Sequence, residues 1–266
     1  MLILMRRIKM AEIILNPINP SASLAKWYRE QMQNMMDDMR ADLIKEVIKP
    51  MRSELAMDGI ADWLGHVMDS LVGRWQSVLD TLAKDVAQEV VGKSKKDYEK
   101  RLMKILRKKG FTVNFNHSAK VQEQSQIALG ENVALIKSIG NEYLDKVNSA
   151  VWRSVKNGYD VQSLIGQLRQ IDGVTDRRAK TIARDQVGKL NQAFEDARAA
   201  ELGVKEAIWL HSGASKVPRQ SHIDANGTRF EIAKGCYIDG EYIFPAISKI
   251  NCHCRKRLII DIKDTI

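Results

Sequence analysis

Apolar residues at three- and four-residue intervals, Trp63, Val67, Leu71, Trp75, Val78 and Leu82, narrow the fold more than any other feature of this chain. Such an interval recurs once per helical turn, so these side chains share one face of a long helix. The helical pattern runs from about Ser53 to Val91, and Gly59, Gly65 and Gly73 within it predict a division into two helices. Upstream, Pro17 and Pro20 interrupt early structure. Ser21 or Ser23 then caps a helix from Leu24 to Lys49, which Pro50 stops or kinks. Downstream, a basic helix from Ser94 to Lys109 ends at Gly110. Five prolines and 16 glycines in 266 residues argue against a linker-rich or all-β chain, and 11 methionines beside few aromatics suit helices. The expected class is α+β, mainly helical.

The alternation in Phe111 to Asn116 predicts a first strand. Helices follow over 118–130, 132–155 and Val161 to Ile171, with a turn at Asn157 to Asp160. A further helix spans Thr175 to Leu202, capped by Thr175 and closed by Gly203, with Ala183, Val187, Leu190, Phe194 and Ala197 on its apolar face. Beyond Gly203 the pattern shortens into strands at Glu206 to His211, Thr228 to Ile232, Glu241 to Phe244 and Arg255 to Ile262. The organisation expected is an extended helical region over 1–110, serving a partner or self-association and basic at its end. A second domain over 111–266 follows, with helices in 118–202 and a small β unit in 206–262.

The net charge of +9 is concentrated between Lys93 and Lys109. Lys93, Lys95, Lys96, Lys100, Arg101, Lys104, Arg107, Lys108 and Lys109 stand there against two acidic residues, Asp97 and Glu99. Such a run is either a solvated helix face or a phosphate contact whose strength comes from counterion release. The apolar start, Met1 to Met5, is too short for a secretory core or a membrane span and is followed at once by Arg6 and Arg7. A cytosolic chain without a membrane segment is expected, in a compartment where disulfides are rare.

The three cysteines therefore need another explanation. In Asn251-Cys252-His253-Cys254, two thiols one residue apart point to one side of an extended segment and His253 to the other. Cys236 and His222 complete a Cys3His set for one structural zinc, with His211 as the competing fourth ligand. Buried cysteines acting as small apolar residues are the equal alternative. A catalytic zinc would need an open position and a general base, and no H-E-x-x-H or H-x-E…C-x-x-C pattern supplies one.

The order of several motifs between Asn132 and Ile260 resembles the phage head morphogenesis family, the minor head proteins of the Mu F type also found in SPP1-like phages. The helix "IARDQVGKLNQAFEDA" (Ile182 to Ala197) is similar to the family's "IARTE…N" helix. A strand with Trp209 follows, then "PRQSH…ANG", Phe230, Pro245 and a closing "NCHC" that resembles "NCRC". Arg184, Trp209, Arg219, His222, Gly227, Cys252 and Cys254 fit position by position. Gln186 and His253 depart from the family pattern, and Cys236 has no secure counterpart. The resemblance implies a virion structural protein without enzyme activity. It would be present in few copies inside the capsid, made in the host cytoplasm, and bound to the portal protein and sequence-independently to packaged double-stranded DNA, with scaffold or capsid protein as further partners. Two other classes stay open at this point: a DNA-processing metalloenzyme centred on His222 and the cysteines, and a host-encoded basic DNA-binding module.

Overall fold

The computed structural model describes residues 12–53, 59–115, 118–214, 217–249 and 252–261. The apolar start at Met1 to Met5 lies outside them. Helices dominate: α1 (Ala22–Leu43), α2 (Lys49–Ser53), α3 (Ile60–Lys108), α4 (Ala119–Lys156), α5 (Val161–Glu201) and the short α6 (Gln220–Asp224). Six short strands accompany them: β1 (Glu12–Ile14), β2 (Glu206–Leu210), β3 (Arg229–Glu231), β4 (Cys236–Ile238), β5 (Glu241–Ile243) and β6 (Arg255–Asp261). The mainly helical α+β class is what the sequence pattern predicts. No helix among the described residues is long and apolar enough to cross a membrane.

Helix ends follow their chemistry, with corrections. Ser21 caps α1 by accepting from the Leu24 amide at 3.2 Å. Pro50 does not stop the helical path. A π-helical turn over Ile44–Ile48 widens the backbone just before it, with the Lys49 amide donating five residues back to Ile44. The wider turn accommodates a ring that would clash with the carbonyl four residues earlier. Continuity also replaces four expected breaks. Gly65 and Gly73 sit inside one unbroken α3, and the basic segment is that helix's last turns rather than a helix of its own. Gly130 leaves α4 intact, and Thr175 lies in mid-α5, where its hydroxyl donates to the Ile171 carbonyl. Gly110 and Gly203 do end α3 and α5, both at positive φ. Phe111 to Phe115 is not a strand; it pairs with no strand among the described residues, and Phe115 instead packs under the Arg198 guanidinium, 4.5 Å from its ring centre.

The chain forms two compact units whose segments interleave in sequence, rather than parting near residue 110. One draws on 21–93 and 126–186, the other on 1–20, 94–125 and 187–266. In the first unit the buried stripe of α3 is Leu64, Met68, Leu71, Trp75, Leu79 and Ala83. It is rotated from the face expected through Trp63 and Val67, because small Ala83 and flexible Met68 belong to it. Met32, Met35 and Met39 of α1 are buried in the same unit, and Tyr28 donates to Asn132 at 2.8 Å. Gly140 of α4 approaches α3 closely: a Cβ there would lie 2.6 Å from a methyl of the fully buried Leu79. Gly140→Ala is expected to lower stability by about 1 kcal/mol, overpacking outweighing the gain in helix propensity. Gly73→Ala, with open space around it, should raise stability by about 0.5–1 kcal/mol, and urea titration of both variants checks the two signs.

The second unit carries an antiparallel sheet in the order β1-β6-β2-β3 and a separate β4-β5 hairpin. β6 is central, pairing Ile259 with both Ile14 and Glu206. Its side chains are buried almost continuously, as a strand covered on both faces requires. β1 and β4 are absent from the sequence-based expectation.

Candidate functional site

The sheet register builds a cluster of sulfur and nitrogen donors at one end of β2 and β6. Leu210 pairs with Arg255, so one step further His211 stands opposite Cys254. Cys252 and Cys254 lie just ahead of β6, both buried, with His253 between them half-buried. α6 brings His222 over them from the connection that follows β2, and its ring is 3% exposed. His222 Nδ1 lies 3.5 Å from Cys252 Sγ and 3.7 Å from Cys254 Sγ, and His211 Nδ1 lies 3.7 Å from Cys254 Sγ. The donor atoms of His222, Cys252 and Cys254 all fall within 4.8 Å of one another.

Backbone anchors hold both imidazoles. Trp209, fully buried on β2, donates its indole N–H to the His222 carbonyl at 3.1 Å and meets that ring edge-on at 5.3 Å. The Asn226 side chain accepts from the His211 amide at 2.9 Å. Gly227 follows at a φ of 89°, and its amide returns to the Trp209 carbonyl. The Ala225-Asn226-Gly227 turn thus fixes His211, and only a residue tolerant of the left-handed region completes it. Within the cluster, the hydrogen bond from Cys254 brings the Cys252 thiol down to about 5, and the same bond with burial raises Cys254.

The other expected positions separate. Cys236 is buried on β4, where it pairs with Ile243, and it is not in the donor group; burial raises its thiol. Arg219 is the exposed residue just before α6, and Arg184 is exposed on α5 in the other unit. Of the basic run, Lys96, Lys100, Lys104 and Arg107 form an exposed row at intervals of three and four, and Lys108 and Lys109 are exposed beside it. None of these six makes an ion pair among the described residues. Lys93 instead pairs with Glu89 and lies 3.7 Å from the Trp27 ring centre, Arg101 pairs with Asp97, and Lys95 is half-buried.

The cations that follow the cysteines are not surface contacts. Lys256 is 1% exposed and pairs with Asp196 at 2.6 Å and Glu195 at 3.2 Å on α5. Arg255 is buried and donates to the Cys254 carbonyl. Desolvation pushes Glu195 up to about 7 despite the nearby ammonium. No periodic signal marks this pair, because an Arg-Lys-Arg run reads as exposed in any sequence pattern.

Comparison with known proteins follows the same motifs. Residues 145–257 match the family described as Phage Mu protein F like protein. An uncharacterized protein of Haemophilus influenzae is 28% identical over 223 residues, covering 82% of this chain and 50% of that protein. The chain thus spans about half the length of this curated relative. No solved structure matches it at a significant level.

Proposed function

Because residues 145–257 belong to the phage Mu protein F-like family, we propose that the chain is a minor head protein of a tailed phage or prophage. It acts in head morphogenesis from the capsid interior, on the portal protein and the packaged DNA. The family match carries this reading, and it includes the Trp209, His222 and Cys252-His253-Cys254 constellation. Two structural features support its finer parts. The exposed row on α3 is suited to phosphates without reading bases. The donor cluster is buried to 3–5%, so a metal held there would have no room to bring a water to a phosphodiester, which favours a structural role over cleavage. The apolar stripe of α3 is consumed in its own unit's core, so portal contact uses other surfaces.

The test is recovery of the tagged chain from procapsids assembled with and without the portal. Co-isolation with portal-containing procapsids, and its loss when the portal is omitted, is the expected result. Absence of the chain from both procapsids and virions would overturn the proposal.

A further inference from the structure

We infer that His211, His222, Cys252 and Cys254 form a complete four-ligand site for one zinc-class divalent cation. This set replaces Cys236 by His211. The first argument is geometric. A sulfur at about 2.3 Å and a nitrogen at about 2.0–2.1 Å from a common tetrahedral centre lie about 3.5 Å apart. The three sulfur–nitrogen separations of 3.5, 3.7 and 3.7 Å match three edges of such a tetrahedron. His222, Cys252 and Cys254 lie within 4.8 Å of one another, and His211, at 3.7 Å from Cys254 alone, closes onto them to complete it. The second is chemical. Two thiolates with two imidazoles in tetrahedral array select zinc over the oxygen-seeking magnesium or calcium.

Nitrogen identity is also settled by the fold. Nδ1 of His222 faces both sulfurs, whereas its Nε2 is buried without a partner among the described residues, so Nδ1 is the ligand atom. The anchors on the His222 carbonyl and the His211 amide hold the ligands' backbone in place, as outer groups do at metal centres. Cys236 is committed to the hairpin: its neighbour Gly235 lies so close to Ile243 that an added Cβ would stand 3.0 Å from that residue's carbonyl oxygen. With four protein ligands no coordination position stays open. The ion's task is to tie the end of β2, α6 and the approach to β6, three short pieces that bury little by themselves.

The experiment is cobalt(II) titration of the full chain purified without chelators, read by the absorption of tetrahedral cobalt and its thiolate charge-transfer band. Saturation at about one cobalt per chain, displaced by zinc, is expected. Cys252→Ser and His222→Ala should abolish the band, His211→Ala should weaken binding at least about tenfold and shift the spectrum, and Cys236→Ser should change neither. No saturable tetrahedral band in the parent chain would overturn the site. Loss of the band in Cys236→Ser beside an unchanged His211→Ala would overturn the ligand set. Because the parent titration and Cys236→Ser do not depend on the other variants folding, the proposal stands or falls on them.

Discussion

Replacing Lys256 by Met is expected to lower the unfolding free energy of the sheet-bearing unit by about 3–5 kcal/mol at neutral pH. Lys256 is fully buried between Glu195, itself buried, and the partly exposed Asp196. Removing the ammonium leaves carboxylate in a medium that solvates it poorly, and this desolvation, not the lost attraction, dominates the cost. The pH dependence follows from Glu195. Desolvation raises it from 4.5 to about 7, so the folded state holds this proton more tightly than the unfolded chain. Its contribution to stability is therefore full below about 4.5 and is lost as pH rises toward 7. Lys256 opposes the rise, so its removal pushes the carboxyl higher still and extends the loss to higher pH. The deficit of the variant should be smallest near pH 5 and largest near pH 8, and adding Glu195→Gln should restore part of it. Urea titrations across that range decide the matter; a deficit below about 1 kcal/mol at every pH would show that Lys256 reaches solvent.

The row Lys96, Lys100, Lys104 and Arg107 spans about 16 Å along α3, the length of about five phosphate steps on one DNA strand. If all four meet phosphates, changing them together to Gln should flatten the plot of log affinity against log salt by about 3–4. The advantage of the parent over the variant should then shrink about a hundredfold between about 50 and 200 mM salt. The effect should be the same on duplexes of unrelated sequence, since no base edge is read. Equal slopes for the two proteins would return the row to a solvated helix face.

What the sequence disclosed was whatever local chemistry decides. The apolar face of α5 through Ala183, Val187, Leu190, Phe194 and Ala197 is buried throughout, and Gly203 ends the helix where expected. The strands at β2, β3, β5 and β6 lie within a residue or two of their alternating patterns. Non-local choices were illegible. Thr175 has the chemistry of a cap but equally bonds back to a carbonyl one turn earlier, and there, buried in mid-helix, it leaves α5 unbroken. β1 has three residues and no pattern of its own, and it exists because β6 offers an edge. At the site, Cys252, Cys254 and His222 were nameable from spacing. The proposal of His211 in place of Cys236 rests on the register of β2 against β6, and no spacing rule contains that register.

The place of β6 in the sheet also sets a timetable for synthesis. β1 emerges from the ribosome early and β2 much later, yet the strand that joins them is made last of the three. Among the described residues β1 has no other strand to pair with and β2 has only β3, so the edge of each that faces β6 stays open until that strand is made. A chain cut short before Cys252 would lack the strand that unites the sheet and the two cysteines of the donor cluster at its end. The sheet is thus completed only when the last of its strands is made.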